Sequence, residues 1–78
     1  MSSSVRDDAA VAVTMSPGAL TVVLRDGRSI TVPLARFPRL LAATPEDRAD
    51  WRLIGDGEGI HWPRVDEDVS VAGLLRAG

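Results

Sequence analysis

A chain of 78 residues lies near the lower size limit for a domain that folds alone, so the length allows one hydrophobic core. Its 11 acidic and 9 basic residues give a formal net charge of -2, which argues against the strong positive field that holds nucleic acids. Cysteine is absent, and this excludes disulfide bonds and thiolate metal sites.

Residues 1–9 lack hydrophobic periodicity and predict a flexible N-terminal tail before a single domain over residues 10–78. This tail is rich in serine and acidic, whereas a signal peptide is basic and then apolar. No stretch approaches the roughly 20 apolar residues that a membrane-spanning helix needs. We therefore expect a cytoplasmic protein that does not contact a membrane.

Apolar residues alternate with small or polar residues over 11–15 and 20–24, which is the period of half-buried strands. A third alternating run follows Gly27, and a three-residue loop over 25–27 keeps its apolar side chains in phase with the second run. The expected cross-strand pairs are Met15 with Leu20, Val13 with Val22, Val11 with Leu24, Leu20 with Val32 and Val22 with Ile30. The sequence therefore predicts an antiparallel three-stranded meander with one apolar face.

Two short helices are predicted after the meander. Pro38 suits the first position of a helical turn that extends to Leu41. Thr44 can cap a second helix that begins at Pro45 and ends near Asp50, since acidic residues follow where the helix dipole favours them. The residues expected to cover the apolar sheet face are Phe37, Leu40, Leu41 and Ala49.

Residues 51–54 and 60–62 predict a second, shorter hairpin, whose glycine-rich tip is expected to be flexible. Acidic residues 66–68 are expected to be solvated near the positive end of a C-terminal helix that Ser70 caps. Val71, Leu74 and Leu75 would share one face of that helix. The predicted fold class is α+β: an antiparallel three-stranded meander followed by short helices, a second short hairpin and a C-terminal helix.

No catalytic or metal-binding pattern is found, so we expect no enzymatic activity and no cofactor. His61 is the single histidine, and a transition-metal site would need carboxylates for every other ligand. Gly57 lies in a Gly-x-Gly-x-Gly segment, but Asp56 and Glu58 would repel a phosphate there. None of the serines lies in a nucleophile-elbow pattern.

A protein-binding role remains, because acids near an aromatic residue can form an interaction surface. The candidate partner-binding residues are Trp62, His61, Asp66, Glu67, Asp68, Asp56 and Glu58. Burial in the core is the first expectation for Trp51 and Trp62, and either would become a contact for a partner protein if it were exposed. A basic patch for RNA, formed by Arg25, Arg28, Arg36 and Arg39, is a further alternative, although no aromatic platform is interleaved with it.

Three features carry a resemblance to a known family: the Asp26-Gly27 turn, the segment Ile60-His61-Trp62-Pro63, and the acidic residues 66–68 followed by Ser70. On these features, over about residues 10–76, the chain resembles the small bacterial family named domain of unknown function 2442. The resemblance implies a small β-rich α+β domain that is often encoded beside another tiny protein, in an arrangement similar to toxin-antitoxin pairs. Some members are fused to a helix-turn-helix domain. Since the family has no established activity, no catalytic residue is carried over.

We therefore expect a small non-catalytic protein-interaction module, the antitoxin-like or accessory member of a bacterial two-protein system. Its partner would be a small protein or a second copy of the chain, because a thin aliphatic core gains stability from additional burial. The alternative is a nucleic-acid-associated transcriptional regulatory subunit. A third hypothesis, an enzyme with a composite site at an oligomer interface, would depend on His61.

Overall fold

The computed structural model describes residues 8–77, which form two antiparallel sheets and three short α-helices. In chain order the elements are β1 (Ala10–Ser16), β2 (Ala19–Leu24), β3 (Ser29–Pro33), a 3₁₀ turn (Leu34–Arg36), α1 (Pro38–Leu41), α2 (Pro45–Ala49), β4 (Arg52–Ile54), β5 (Gly59–Trp62), β6 (Glu67–Ser70) and α3 (Val71–Ala77). The first sheet has the order β1-β2-β3 and the second has the order β4-β5-β6. The predicted α+β class and the three-stranded meander are confirmed.

The register of the first sheet follows the predicted alternation. The pairs Val13 with Val22, Met15 with Leu20, Leu20 with Val32, and Val22 with Ile30 are all observed. Between β2 and β3, the Gly27 N–H donates to the Leu24 carbonyl over 3.0 Å, and Gly27 has a φ of +94°. The predicted three-residue loop is therefore confirmed, since a positive φ at its last position favours glycine.

The predicted pair of Val11 with Leu24 is wrong, because β1 contains a bulge. Ala10 pairs with Leu24 instead, and Val11 is 45% exposed. The bulge coincides with a contact from the β4–β5 turn, where the Ala10 N–H donates to the Gly57 carbonyl over 2.7 Å. This contact turns Ala10 inward and leaves Val11 outside.

Residues 1–7 of the predicted tail lie outside the described residues. Ala9, which the sequence assigned to that tail, is only 2% exposed. Its carbonyl accepts a hydrogen bond of 2.8 Å from the Arg25 N–H. Ala9 is therefore fixed against the first sheet.

The short helices begin as predicted. The Thr44 hydroxyl accepts the Asp47 N–H over 3.1 Å, and Pro45 occupies the first helical position. Leu40 is fully buried and Phe37 packs against the core, whereas Leu41 and Ala49 are exposed. The expectation that Leu41 and Ala49 cover the sheet is wrong, because helices of about one turn can bury only one narrow stripe.

The second sheet contains one strand more than the predicted hairpin. Glu67 and Asp68 belong to β6, where they pair with Trp62 and His61. The placement of these acids at the start of the C-terminal helix is therefore wrong. The cap itself is confirmed, since the Ser70 hydroxyl accepts the Gly73 N–H over 3.2 Å.

On α3, Val71 and Leu74 are buried, whereas Leu75 is 36% exposed. One hydrophobic core joins the two sheets and the helices. Its largest fully buried side chains are Trp62, Leu20, Leu24, Leu34, Leu40, Ile60 and Val22. Within residues 8–77 no helix is long and apolar enough to span a membrane.

Candidate functional site

Trp62 lies in the core and not on the surface. It is 0% exposed on the inner face of β5, and its indole N–H donates to the Arg48 carbonyl over 3.0 Å. Strand side chains alternate between faces, so Trp62 and Ile60 share this inner face while His61 lies on the outer face. The candidacy of Trp62 as a surface contact for a partner is therefore wrong.

His61 and Asp68 form a cross-strand pair on the outer face of the second sheet. The Nδ1 atom of His61 is hydrogen-bonded to Oδ1 of Asp68, and the two side chains are 36% and 69% exposed. His61 also has a cross-strand neighbour on its other side, since Arg52 of β4 is its partner in the β4–β5 register. Among the described residues, no group of three or more His, Asp or Glu side chains is arranged to hold a metal ion.

The other acidic candidates are divided between the two ends of the second sheet. Asp56 and Glu58 lie in the β4–β5 turn, and Asp66 lies in the β5–β6 turn at the opposite end. The Asp66 side chain is 91% exposed and lies 3.8 Å from the Arg39 guanidinium. Within β6, Glu67 belongs to the inner face and Asp68 to the outer face. The candidate residues therefore do not form one continuous acidic surface.

Within residues 8–77, Arg28 and Arg39 of the four arginines in the expected RNA-binding patch are seen bound to acidic residues. The Nε atom of Arg28 donates to Asp26 over 2.7 Å. Arg39 donates to the Asp66 carbonyl over 2.6 Å, and its guanidinium lies 3.8 Å from the Asp66 carboxylate. Their positive charge is thus partly compensated, which weakens the basic patch as a nucleic-acid site.

An apolar groove of about 460 Å³ lies between β1 and α2. Val13, Met15 and Pro17 line it from one side, and Pro45, Ala49 and Trp51 line it from the other; Ser16 and Arg48 complete its lining. A volume in this range is typical of ligand-binding sites. Sequence reasoning missed the groove, because its two walls come from segments that are distant in the sequence.

Alternate residues of β2 hydrogen-bond to β1 and to β3, and this alternation determines which backbone N–H and C=O groups of β1 have no partner in β2. A residue in an antiparallel pair directs both its N–H and its C=O to the same side. The Leu24 N–H donates toward β3, to the Arg28 carbonyl over 2.7 Å. The next residue, Arg25, donates toward β1, to the Ala9 carbonyl over 2.8 Å. The odd-numbered residues of β2 therefore bond to β1.

The same alternation continues along β1. Thr14 pairs with the odd-numbered Thr21, so the backbone groups of Thr14 point toward β2. The neighbouring residues Val13 and Met15 point the other way, toward the free edge of the sheet. Among residues 8–77 no other hydrogen bond reaches their N–H and C=O groups. The free edge of β1 thus offers unpaired backbone groups at the two strand residues whose side chains form the apolar wall of the groove.

Arg48 is the one charged side chain among the described residues that line the groove. Its Nε donates to the Leu40 carbonyl over 2.9 Å and its Nη2 donates to the Leu41 carbonyl over 2.8 Å. Both acceptors are neutral, and none of the ion pairs found within residues 8–77 includes Arg48. A fixed cation without a carboxylate partner therefore borders the apolar surface.

A family model described as "Protein of unknown function (DUF2442)" matches residues 10–78. The chain is also similar to a solved structure, a protein of unknown function from Rhodospirillum rubrum ATCC 11170 at 2.75 Å resolution. That likeness has a TM-score of 0.74 at 25% sequence identity and covers 88% of this chain and 86% of the other. No curated protein matches the chain. Because the family model matches from the first strand onward, the chain belongs to the DUF2442 family of proteins of unknown function.

Proposed function

We propose that this domain is a small non-catalytic protein-interaction module, the antitoxin-like or accessory member of a bacterial two-protein system that acts in the cytoplasm. The observation that carries this proposal is the apolar groove beside the free edge of β1. An edge strand with unpaired backbone groups is a template for another chain. When an apolar groove lies beside that edge, side chains of the added chain can be buried as well.

The other sheet edges are less suited to a partner. β3 ends at Pro33, which has no N–H, and the side chains of Ser29 and Thr31 along it are exposed and polar. Such features protect an edge from further pairing. β6 carries two acidic residues, and β4 has only three residues. Among the sheet edges of the described residues, the β1 edge is therefore the best supported binding surface.

Co-expression with the proteins encoded beside it tests this function. We expect size-exclusion chromatography with light scattering to show a monomer for the chain alone and a stoichiometric complex with one encoded neighbour. Ala49→Arg should abolish the complex, because Ala49 is exposed and lines the groove. Ala72→Arg is the matched control, since Ala72 is also exposed and helical but does not line that groove.

Two results would contradict the proposal. One is a chain that remains monomeric with every encoded neighbour. The other is a complex that Ala49→Arg and Ala72→Arg weaken equally, because binding would then not depend on the groove. Circular dichroism of both variants, compared with the wild type, excludes unfolding as the cause of a lost complex.

A further inference from the structure

We infer that the groove receives an extended segment of the partner, which adds a strand to β1 and places a carboxylate at Arg48. This inference rests on the proposed function, because it specifies the partner chemistry for the same groove. It has three parts: the conformation of the bound segment, the pattern of its side chains, and its charge.

The conformation follows from the free edge of β1. The outward N–H and C=O groups of Val13 and Met15 can be satisfied by a chain whose own groups point sideways, as they do in a strand. A helix has no such groups along its length, because its N–H and C=O groups bond within the helix. The open edge therefore favours an extended segment over an amphipathic helix.

The side-chain pattern follows from the apolar lining. Successive side chains of a strand point to opposite faces, so every second side chain of an added strand faces the groove. There it would meet Met15, Ala49 and Trp51. The segment should therefore carry apolar residues at alternate positions, while the residues between them stay in solvent.

The charge follows from Arg48. Its guanidinium is held by two carbonyl groups, and the nearby carboxylates of Asp47 and Asp50 face Arg64 at 3.9 and 3.3 Å. A carboxylate on the bound segment would gain a charge-assisted hydrogen bond, while a lysine there would be repelled. The segment should therefore contain Asp or Glu beside its apolar residues.

A random library of twelve-residue peptides, selected on the immobilised full chain, tests the inference. Peptides that also bind the Ala49→Arg variant are removed first. We expect the remaining peptides to share apolar residues at alternate positions and one Asp or Glu. Replacing that acid by its amide in a synthetic peptide should weaken binding about tenfold or more, the usual size of a charge-assisted hydrogen bond effect.

Backbone methylation of the same synthetic peptide distinguishes strand addition from side-chain contact alone. N-methylation of an amide that faces β1 should weaken binding about tenfold, whereas N-methylation of the next amide should change it little. Equal tolerance at all amides, a helical or basic consensus, or the absence of any enriched peptide would overturn the inference.

The two proposals can fail separately. If an encoded neighbour binds in a manner that Ala49→Arg abolishes but the peptides show no alternating sensitivity, only the strand inference fails. If the chain alone forms a dimer that Ala49→Arg dissociates, the occupant is a second copy and the partner segment is ruled out. If no groove-dependent partner exists, the proposed function fails as well.

Discussion

Gly57 connects the two sheets by a close backbone contact. Its φ is +97°, and an added Cβ would overlap the Ala10 carbonyl oxygen and lie 2.9 Å from the Ala10 nitrogen. The sequence predicted a flexible, glycine-rich hairpin tip here. The contact with Ala10 was not predicted, because Ala10 is remote from Gly57 in the chain. The structure instead makes Gly57 a point of attachment.

We expect Gly57→Ala to destabilise the domain much more than Gly27→Ala. Gly27 has a similar φ of +94°, but no atom lies within 4 Å of a Cβ added there. Gly27→Ala, the control, should lower the free energy of unfolding by about 1–2 kcal/mol through backbone strain alone. Gly57→Ala should cost about 1–3 kcal/mol more, because overpacking is added to the strain. Urea unfolding measures both, and equal losses would contradict the proposed close contact.

Asp26 gives the domain a specific dependence of stability on pH. The Arg28 backbone N–H donates to this carboxylate over 3.0 Å and lowers the pKa of Asp26 below its ordinary value of 3.8; the Arg28 side chain lowers it further. Because the native pKa is lowered, the stabilisation is complete above the ordinary value. It is lost as the pH falls through the native pKa.

Asp26→Asn should therefore flatten the stability curve in acid. We expect the wild type to be more stable than the variant at about pH 6, and the difference to shrink toward about pH 2. Urea unfolding across this range measures the difference. Asp56→Asn is the control, since it removes the same charge from another turn residue. Among the hydrogen bonds found in residues 8–77, none involves the Asp56 side chain. A difference that does not change with pH would contradict the lowered pKa.

At the scale of elements, β1 has two sides with different hydrogen-bonding roles. Thr14 directs its backbone groups to β2, and Met15 directs its groups to the free edge. Proline removes one N–H, so its effect depends on which side that N–H faces. Substitution by proline therefore shows directly which residues of β1 direct their N–H toward β2 and which direct it toward the free edge.

We expect Thr14→Pro to be at least about 2 kcal/mol less stable than Thr14→Ala, because it breaks a ladder bond and leaves a carbonyl of β2 without its donor. Met15→Pro should lie within about 1 kcal/mol of Met15→Ala, because both lose the same side chain and no ladder bond is broken. Thermal or urea unfolding of the four variants provides the comparison. If the two prolines have the same effect, the assigned phase is wrong.

The elements that the sequence predicted are those with a local signal. The meander followed from alternation and from the Gly27 loop, and α2 followed from Thr44 and Pro45. β6 was missed because Val69 is its one apolar residue, so its acids resembled the start of a helix. The bulge at Val11 was missed because its cause, the contact with Gly57, lies across the fold.

The candidate site is a property of the whole molecule. Met15 and Trp51 each showed an apolar character in the sequence, but nothing local indicated that they line one groove. Trp62, by contrast, was open to two interpretations from the sequence, a core residue or an exposed contact for a partner, and it is a core residue. Sequence patterns reveal which residues are apolar, whereas the tertiary fold decides which of them are covered.

The shared core makes the two sheets unfold together. Leu20 and Val22 from the first sheet belong to the same buried cluster as Ile60, Trp62 and Val69 from the second. Trp62 lies in the second sheet, so its fluorescence reports that sheet, whereas Trp51 faces β1 across the groove and is replaced by phenylalanine for this experiment. A substitution that destabilises the first sheet should therefore also lower the unfolding midpoint measured in the second sheet.

We expect Val22→Ala to lower the free energy of unfolding by about 2 kcal/mol, because it removes two buried methyl groups and leaves a cavity. The tryptophan fluorescence midpoint and the far-ultraviolet circular dichroism midpoint in urea should fall by the same amount. Ser29→Ala, at an exposed position of the same sheet, should leave both nearly unchanged. A fluorescence midpoint that stays fixed while the circular dichroism midpoint falls would mean that the two sheets are separate folding units, because the cluster would then not couple them.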